Sequence, residues 1–529
     1  MRDASEKMEE YMKRIATVLL LLVLVASFAF AGGSGESKKE ASSDGKSIDL
    51  LRIGVSSWPK TLDPARGMGL ANVRWLYEVF DTLLYCEDDG TISSYICDSW
   101  KMIDDYTSEY KLKRGITFHN GDPLTAEDVA YSLMRPFTYR AGYIDANVKT
   151  IVSSIDHCEV IDDLTLRIIT ADPDPVIFQR LAGYMSVYII DKKYFEEEGE
   201  EVFATSPVGT GPYKVDSLTG ESLMLSYYDG YYGEKPIADK VEFCYIPEEA
   251  SLIAAIMTGE IDIAPDLSKT SWDALYGNSK VDVINQPYTA SHLCRINTTE
   301  EGVPWKEVRQ AMSLAIDRQL LIDTLWGGMA SVPNGYNYPC FGEYYIEDYP
   351  EYEYNPEKAA ELVKNSGYDG RVIEYRLVNG YYKMGNEAAE AIVDMWRQIG
   401  LNAQVTFVDN WTIKGIQGLL TWSNGLRFED PIGGLWVLWG EGTSLQTNLW
   451  HTEGTAKFNE LGHQLLTETN VEARRAIYRE MMEIWDDEVP GIIWYCPDSI
   501  FAIRNDLEWK YAAGKGYNFR ADHLSFKEN

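Results

Sequence analysis

The sequence predicts an α/β protein with largely parallel or mixed sheets, and three observations support this fold class. Short apolar strands alternate with amphipathic helices along the chain, without internal repeats. With 529 residues the chain is too long for one small core, so we expect two or three domains. Its composition, 45% hydrophobic and 25% charged, is ordinary for a globular protein.

The elements follow from periodicity and from capping residues. The first strand is Leu51–Val55, where apolar and polar residues alternate, and Thr125 caps a helix that starts at Ala126. Asn355 and Pro356 supply an N-cap and a first helical residue. The other predicted strands are 110–118 with a tight turn, 164–170, 213–216, 221–227, 240–246, 261–264, 374–378, 404–408 and 491–495. The other predicted helices are 73–85, 176–182, 248–258, 306–325, 386–399 and 471–487. The acidic run 196–201 is predicted to be a solvated loop.

The first 31 residues have the form of a secretory signal peptide. Lys13 and Arg14 precede an apolar run, and small residues around Ala31 resemble a cleavage site. Residues 32–49 then form a flexible linker. We therefore expect an exported protein, periplasmic or extracellular, with Met12 as an alternative start and an uncleaved anchor as an alternative fate. The first cysteine is Cys86, so no lipoprotein cysteine is expected.

Composition excludes several classes of function. The formal net charge is −34, from 48 basic and 82 acidic residues, which disfavours nucleic acids and anionic membranes as partners. Seven cysteines occur without a CxxC spacing, and six histidines occur without an HExxH motif. No P-loop or GxSxG elbow is present. We expect no cofactor, no metal and no enzymatic activity, and a binding protein is favoured.

Residues 110–133, YKLKRGITFHNGDPLTAEDVAYSL, closely resemble the signature of the family 5 extracellular solute-binding proteins of ABC transporters. That family includes dipeptide-, oligopeptide- and nickel-binding proteins. Further blocks resemble the family in the same order, at 58–65, 207–215, 232–236, 255–263, 308–318 and 354–368. Within these blocks, Gly115 and Gly121 suit turns with positive φ, and Asp128 and Arg318 suit structural ion pairs or caps.

The resemblance implies a type II periplasmic-binding-protein-like fold, in which two lobes joined by a hinge close on a solute. The first lobe would contain residues 50–88, 205–290 and 488–529, and the second lobe residues 291–487. The inserted domain would be residues 89–204. The implied partners are a small solute and the membrane permease of an ABC transporter, and we expect a monomer.

The segment 421–440 is the main candidate for contact with the solute. In the peptide binders of this family an aspartate three residues after a tryptophan pairs with the peptide's α-ammonium, but Gly425 stands three residues after Trp422. Arg427 would instead suit a carboxylate or phosphate. Asp430 is either a contact or a turn residue, and Trp436 and Trp439 are either aromatic contacts or core.

Weaker candidates lie at strand ends and near the expected crossing between the lobes. The full set of predicted ligand-binding residues is Ser57, Trp58, Tyr288, Arg295, Asn297, Trp422, Arg427, Asp430, Trp436 and Trp439. The preferred function is delivery of a peptide-like solute to the permease. An oligosaccharide or an anionic opine is the alternative on the same fold, together with a sensing role. A secreted carboxylate-dependent hydrolase is the alternative from another class, and nickel is disfavoured because no histidine lies near Arg427.

Overall fold

The structure is a computed structural model that describes residues 46–67, 70–87, 90–183, 186–288, 290–413, 415–511 and 516–528. The predicted signal peptide, and the predicted linker up to residue 45, lie outside the described residues. Within the described ranges, no helix combines the length and the apolar character needed to span a bilayer.

Twenty-one strands are present in these ranges. They are β1 Leu51–Val55, β2 Tyr85–Cys86, β3 Ile92–Ser93, β4 Cys97–Met102, β5 Thr107–Leu112, β6 Ile155–Asp162, β7 Thr165–Thr170, β8 Tyr213–Leu218, β9 Ser222–Tyr227, β10 Lys240–Tyr245, β11 Ile263–Leu267, β12 Val281–Gln286, β13 Ser291–Ile296, β14 Ala330–Ser331, β15 Ile373–Val378, β16 Ala403–Val408, β17 Leu419–Asn424, β18 Gly491–Pro497, β19 Ser499–Arg504, β20 Leu507–Trp509 and β21 Leu524–Phe526.

The α-helices between them are mostly short. They are Leu70–Val73, Leu76–Val79, Ala126–Thr138, Ala146–Ile151, Ile177–Ala182, Lys192–Phe203, Glu249–Thr258, Lys269–Leu275, Lys306–Leu314, Arg318–Leu321, Pro356–Asn365, Gly385–Gln398, Val437–Trp439, Ser444–Asn448, Gly454–Thr467 and Val471–Glu488. Two π-helical turns, Ile322–Trp326 and Ile432–Trp436, and a 3₁₀ segment, Pro339–Tyr344, complete the set in the described ranges.

Two large mixed sheets form the lobes. The first has the order β12-β19-β11-β1-β10-β9-β8, with β1 parallel to β10 and β11 and the other pairs antiparallel. The second has the order β14-β18-β13-β17-β15-β16, with β15 parallel to β16 and β17. Strand β18 pairs with β13, whereas β19, which begins at Ser499, lies in the first sheet. On this pairing we propose that the return to the first lobe lies at Ser499 and not at the predicted residue 488.

The inserted domain, whose predicted range was 89–204, contains the antiparallel sheet β4-β5-β7-β6. Its helix Ala126–Thr138 begins with a capping box, because the Thr125 side chain accepts from the Asp128 N–H and the Asp128 side chain accepts from the Thr125 N–H. Both Gly115 and Gly121 have positive φ, at 83° and 91°. These local signals were confirmed because they depend only on neighbours in sequence.

Three predictions about elements were wrong. The predicted helix 73–85 is helical only up to Val79 and ends in strand β2. In the two other places a capping carboxylate changes the predicted element. The acidic run 196–201 lies in the helical segment Lys192–Phe203, which Asp191 caps, which breaks at Gly199 (φ 80°) and which buries Phe195 and Phe203. The predicted helix 306–325 stops at Leu314, and the Asp317 side chain caps a new helix by accepting from the Leu320 N–H. In both places a capping carboxylate determines where a helix starts.

Candidate ligand-binding cleft

The two sheets face each other through the ends of their strands. In the described ranges the chain crosses between the lobes from β12 to β13, and from β18 to β19, where only Asp498 separates the strands. The strand directions therefore bring the carboxyl ends of β1, β10, β11 and β12 to the same side as the carboxyl ends of β15, β16, β17 and β18. Ligands of open α/β sheets bind outside such carboxyl ends, so the cleft between these edges is the candidate site.

Arg295 and Trp422 meet on the second lobe. The antiparallel register of β13 and β17 sets Arg295 opposite Leu420 and Leu293 opposite Trp422, so both side chains lie on one face of the sheet. The guanidinium carbon of Arg295 lies 5.0 Å from the centroid of the Trp422 ring. Trp422 is half-buried, and Arg295 is only 7% exposed. The pair forms a cation–π contact at the edge of a packed core.

Arg295 makes no hydrogen bond or ion pair with the residues that the structure describes, and its Nε is buried without an acceptor. Burial lowers the pKa of the guanidinium to about 10. The groups that oppose this shift are Tyr382, Tyr336 and Cys294, so no carboxylate contributes. Burying a charge without a counter-charge is costly.

Asn424 adds a second buried polar side chain to this face of the sheet, two same-face register pairs along the strands from Arg295. It ends β17 on the same face as Trp422, and it is 1% exposed. Neither amide atom makes a well-formed hydrogen bond with a described residue, although the amide lies close enough to the Tyr336 hydroxyl to lower the pKa of that phenol. The nearby Tyr336 hydroxyl accepts from the Trp439 Nε1 at 2.8 Å. The arrangement offers guanidinium and amide donors to an acceptor that the protein itself does not supply.

An aromatic shelf borders the cleft on the second lobe. It consists of Tyr381 and Tyr382, which follow β15, Trp411, which follows β16, and His292 on β13. The Tyr381 and Trp411 ring centroids lie 4.9 Å apart, and those of His292 and Tyr382 lie 5.1 Å apart. The Tyr382 hydroxyl accepts from the Ser423 N–H at 3.1 Å. Burial lowers the pKa of His292 to about 4, so the ring is neutral at pH 7 and the shelf is uncharged there.

The first lobe contributes a charged group to the opposite side. The Ser57 hydroxyl accepts from the Arg74 Nη1 at 3.4 Å, and Arg74 forms an ion pair with Asp266. Tyr288 lies close enough to Arg74 to affect its pKa. The Lys383 ammonium of the second lobe donates to the Asp266 carbonyl oxygen. Ser57 and Tyr288 thus lie near the place where the lobes touch.

Three predicted site residues have structural roles instead. Both carboxylate oxygens of Asp430 accept from the Arg474 Nη2, at 3.0 and 2.9 Å, and both side chains are at most 1% exposed. Trp439 is fully buried against Trp450 and Trp485. Trp436 packs on Phe458. The predicted contacts of Asp430, Trp436 and Trp439 with the solute are corrected accordingly, because these side chains are already committed to the core.

Two other predicted residues are also occupied by local contacts. Asn297 is buried, and its amide donates to the Ile416 carbonyl at 2.5 Å while its oxygen accepts from the Thr299 N–H at 3.0 Å. Trp58 donates from Nε1 to the Thr219 carbonyl at 3.1 Å, on the hairpin between β8 and β9. Asn297 thus stabilises its loop, and Trp58 packs on this hairpin while staying partly exposed. Their contacts with a solute stay predictions.

Arg427 lies in the loop after β17, on the side of the inserted domain. Its side chain is half-buried, and its N–H donates to the Gly433 carbonyl at 3.1 Å. A Cβ on Gly183 would lie 2.6 Å from the Arg427 carbonyl oxygen, so the inserted domain packs directly on this loop. The contact of Arg427 with a solute stays a prediction.

Sequence reasoning missed Asn424, Tyr336, Tyr382 and Lys383. The two residues after β15, Tyr382 and Lys383, could have been found by applying the strand-end rule to that strand, as it was applied to β1. Tyr336 lies in an irregular segment far from the sheet in sequence, and no local pattern marks it.

Two lobes, an inserted domain and a cleft between strand ends define a binder of small solutes. Residues 91–446 match the family described as bacterial extracellular solute-binding proteins, family 5 Middle. The match covers more than half of the chain, and the chain belongs to this family. Among the described residues, no group of three or more His, Cys, Asp or Glu side chains is arranged to hold a metal ion.

Known proteins agree with this assignment. The glutathione-binding protein GsiB of Escherichia coli (strain K12) is 24% identical over 363 residues, which is 68% of this chain and 69% of the relative. The periplasmic binding protein DppA from Helicobacter pylori, solved with the peptide STSA, has a TM-score of 0.79 at 20% identity, covering 91% of this chain and 99% of that chain. AgaA from A. tumefaciens R10, solved with agropinic acid, has a TM-score of 0.76 at 20% identity, with the same coverage. At these identities the structural similarity establishes the fold.

Proposed function

We propose that this solute-binding protein captures a peptide-like solute in the cleft and delivers it, chemically unchanged, to the permease of an ABC transporter. The names of its relatives support a small peptide-like solute, because glutathione and the tetrapeptide STSA are bound by GsiB and DppA respectively. The observation that carries the proposal is the cleft itself, which combines a buried unpaired cation, an aromatic shelf and direct contacts between the lobes.

The mechanism follows from these contacts. A solute that touches Trp422 and Arg295 on the second lobe and the Ser57 region on the first lobe interacts fully only in the closed form, so binding shifts the population towards closure. In this proposal the closed form then presents both lobes to the permease, and opening there releases the solute. The protein acts as a monomer outside the cytoplasm.

The solute can be identified directly. We would purify the protein without denaturation, unfold it, and analyse the released small molecules by mass spectrometry. A matching compound should raise the melting temperature, because it binds the folded state only. It should also decrease the radius of gyration in solution scattering as the lobes close. Scattering curves that stay identical with and without the solute would contradict the proposal.

Three alternatives are tested by the same experiments on the purified protein. An opine is supported by one specific observation, the fold shared with AgaA, which was solved with agropinic acid, an acid as peptides are. The oligosaccharide alternative loses part of its basis, because Trp436 and Trp439 lie in the core. The hydrolase alternative predicts that incubated peptides or glycosides are cleaved. Recovery of the intact solute would exclude it.

A further inference from the structure

The buried arginines of the chain fall into two groups. Eight arginine side chains are buried in the part of the chain that the structure describes: Arg74, Arg135, Arg180, Arg295, Arg309, Arg318, Arg474 and Arg520. Six of them form ion pairs with a carboxylate. Arg318 donates instead to the carbonyl oxygens of Ile493 and Ser313. Arg295 is the exception, since no described residue accepts a hydrogen bond from it.

The surroundings of Arg295 form a built site. The Trp422 ring centroid lies 5.0 Å from the guanidinium carbon, and no described residue accepts a hydrogen bond from the guanidinium N–H groups. Asn424, 99% buried, lies on the same face of the sheet, and its amide makes no well-formed hydrogen bond, although it approaches the Tyr336 hydroxyl. The planar fork of an arginine matches the two oxygens of a carboxylate. Arg295 and Asn424 both lie close enough to the Tyr336 hydroxyl to affect its pKa, so the amide N–H₂ of Asn424 supplies a further donor in the neighbourhood of the guanidinium.

We propose that Arg295 and Asn424, oriented by Trp422, form a subsite that binds a carboxylate group of the solute. The inference rests on the proposed function, because it assumes that a small solute enters this cleft. It names the chemical feature by which the solute is selected, an acid group held by two side chains of the second lobe. The acid supplies the counter-charge that the protein does not place beside Arg295.

The first test uses the ligand-free protein and Arg295→Gln. Because the substitution removes a buried charge that has no partner, the melting temperature of Arg295→Gln should equal or exceed that of the wild type. The matched control is Arg474→Gln, which removes an equally buried arginine but leaves Asp430 unpaired, and it should melt well below the wild type. A decrease for Arg295→Gln as large as that for Arg474→Gln would overturn the proposal, since it would give Arg295 a structural role.

The second test uses succinate as a carboxylate probe that does not depend on knowing the solute. Sodium succinate, compared with sodium chloride at equal ionic strength, should raise the melting temperature of the wild type and of Arg474→Gln but not of Arg295→Gln. Arg295→Lys keeps the charge without the fork and should show a smaller rise. An equal rise in Arg295→Gln, or no rise in the wild type, would overturn the subsite.

The third test separates this inference from the proposed function. Tetrapeptides are offered as free acids and as C-terminal amides, and bound peptides are measured by mass spectrometry after capture. The proposal expects the amides to bind at least about 100-fold more weakly, the loss expected when a buried partner stays unpaired. Equal retention of acids and amides would overturn the subsite and leave the proposed function intact. A response to succinate without any retained peptide would support the subsite and count against a peptide-like solute.

Discussion

Lys383 provides the sharpest test of lobe closure, because it joins the two lobes without being a predicted contact of the solute. Its ammonium, on the loop after β15, donates to the Asp266 carbonyl oxygen and lies 3.4 Å from the Glu249 carboxylate of the first lobe. Replacing it by methionine keeps the aliphatic stem and removes both interactions. We expect Lys383→Met to shift the protein towards the open form.

The expected loss of binding free energy follows from the exposure of the Lys383 and Glu249 side chains. The Lys383 and Glu249 side chains are 38% and 31% exposed, so solvent weakens their attraction. Ion pairs of this kind contribute about 0.2–1 kcal/mol, and the hydrogen bond to the carbonyl adds a similar amount, so about 1 kcal/mol is lost. That corresponds to about a fivefold lower ratio of closed to open protein, and to binding of the solute that is weaker by up to about fivefold.

Titration calorimetry with the solute released from the protein measures the affinity, and scattering of the ligand-free protein measures closure. The matched control is Lys235→Met, which removes an exposed lysine that pairs with Asp239 inside the first lobe. Affinity should fall for Lys383→Met alone, mostly through faster dissociation. If both variants bind like the wild type, or both weaken equally, the contact between the lobes has no role in closure.

Two further predictions concern stability. Asp430→Asn leaves Arg474 buried without its counter-charge and should lower the free energy of unfolding by about 3–5 kcal/mol in urea denaturation. The double variant Asp430→Asn/Arg474→Met should recover most of this loss. If Asp430→Asn alone leaves the free energy of unfolding unchanged, the role of the pair is refuted. Burial raises the pKa of Glu78 to about 7. The folded state therefore keeps a proton that the unfolded state releases near pH 4.5, and the contribution of Glu78 to stability falls by about 3 kcal/mol as pH rises from 4.5 to 7. Glu78→Gln should remove this fall, and an unchanged dependence of the unfolding free energy on pH would contradict it.

The parts of the fold that could be predicted are those that neighbours in sequence decide. The capping box at Thr125, the N-cap at Asn355 and the alternation in Leu51–Val55 each predict an element that the structure contains. The choice of sheet that a strand joins is not decided by neighbours in sequence. β18 is buried along its whole length, and a uniformly apolar strand suits either lobe. Its pairing with β13, almost 200 residues earlier, depends on contacts that no local pattern records.

The site was harder to predict for the same reason. A sequence displays the charge of an arginine but not its partner, and Asp430 and Arg474 are 44 residues apart. Asp430 therefore resembled a binding residue while Arg474 passed unnoticed. Arg295 was predicted only from its place near the crossing between lobes. What distinguishes it in the structure, the lack of any acceptor, is a property of its whole environment.

The negative net charge of the protein should affect how fast an anionic solute associates. The chain carries a formal net charge of −34, so at a distance it repels the acid group that Arg295 is proposed to bind. Added salt screens this long-range repulsion, but it acts much less on a contact inside a closed cleft. The association rate should therefore rise with ionic strength while the dissociation rate stays nearly constant, and a solute with one more carboxylate should gain more. Stopped-flow fluorescence of Trp422 and its neighbours measures both rates. An association rate that falls as salt is added would mean that a local positive field attracts the solute. That result would refute the prediction that the negative net charge slows association.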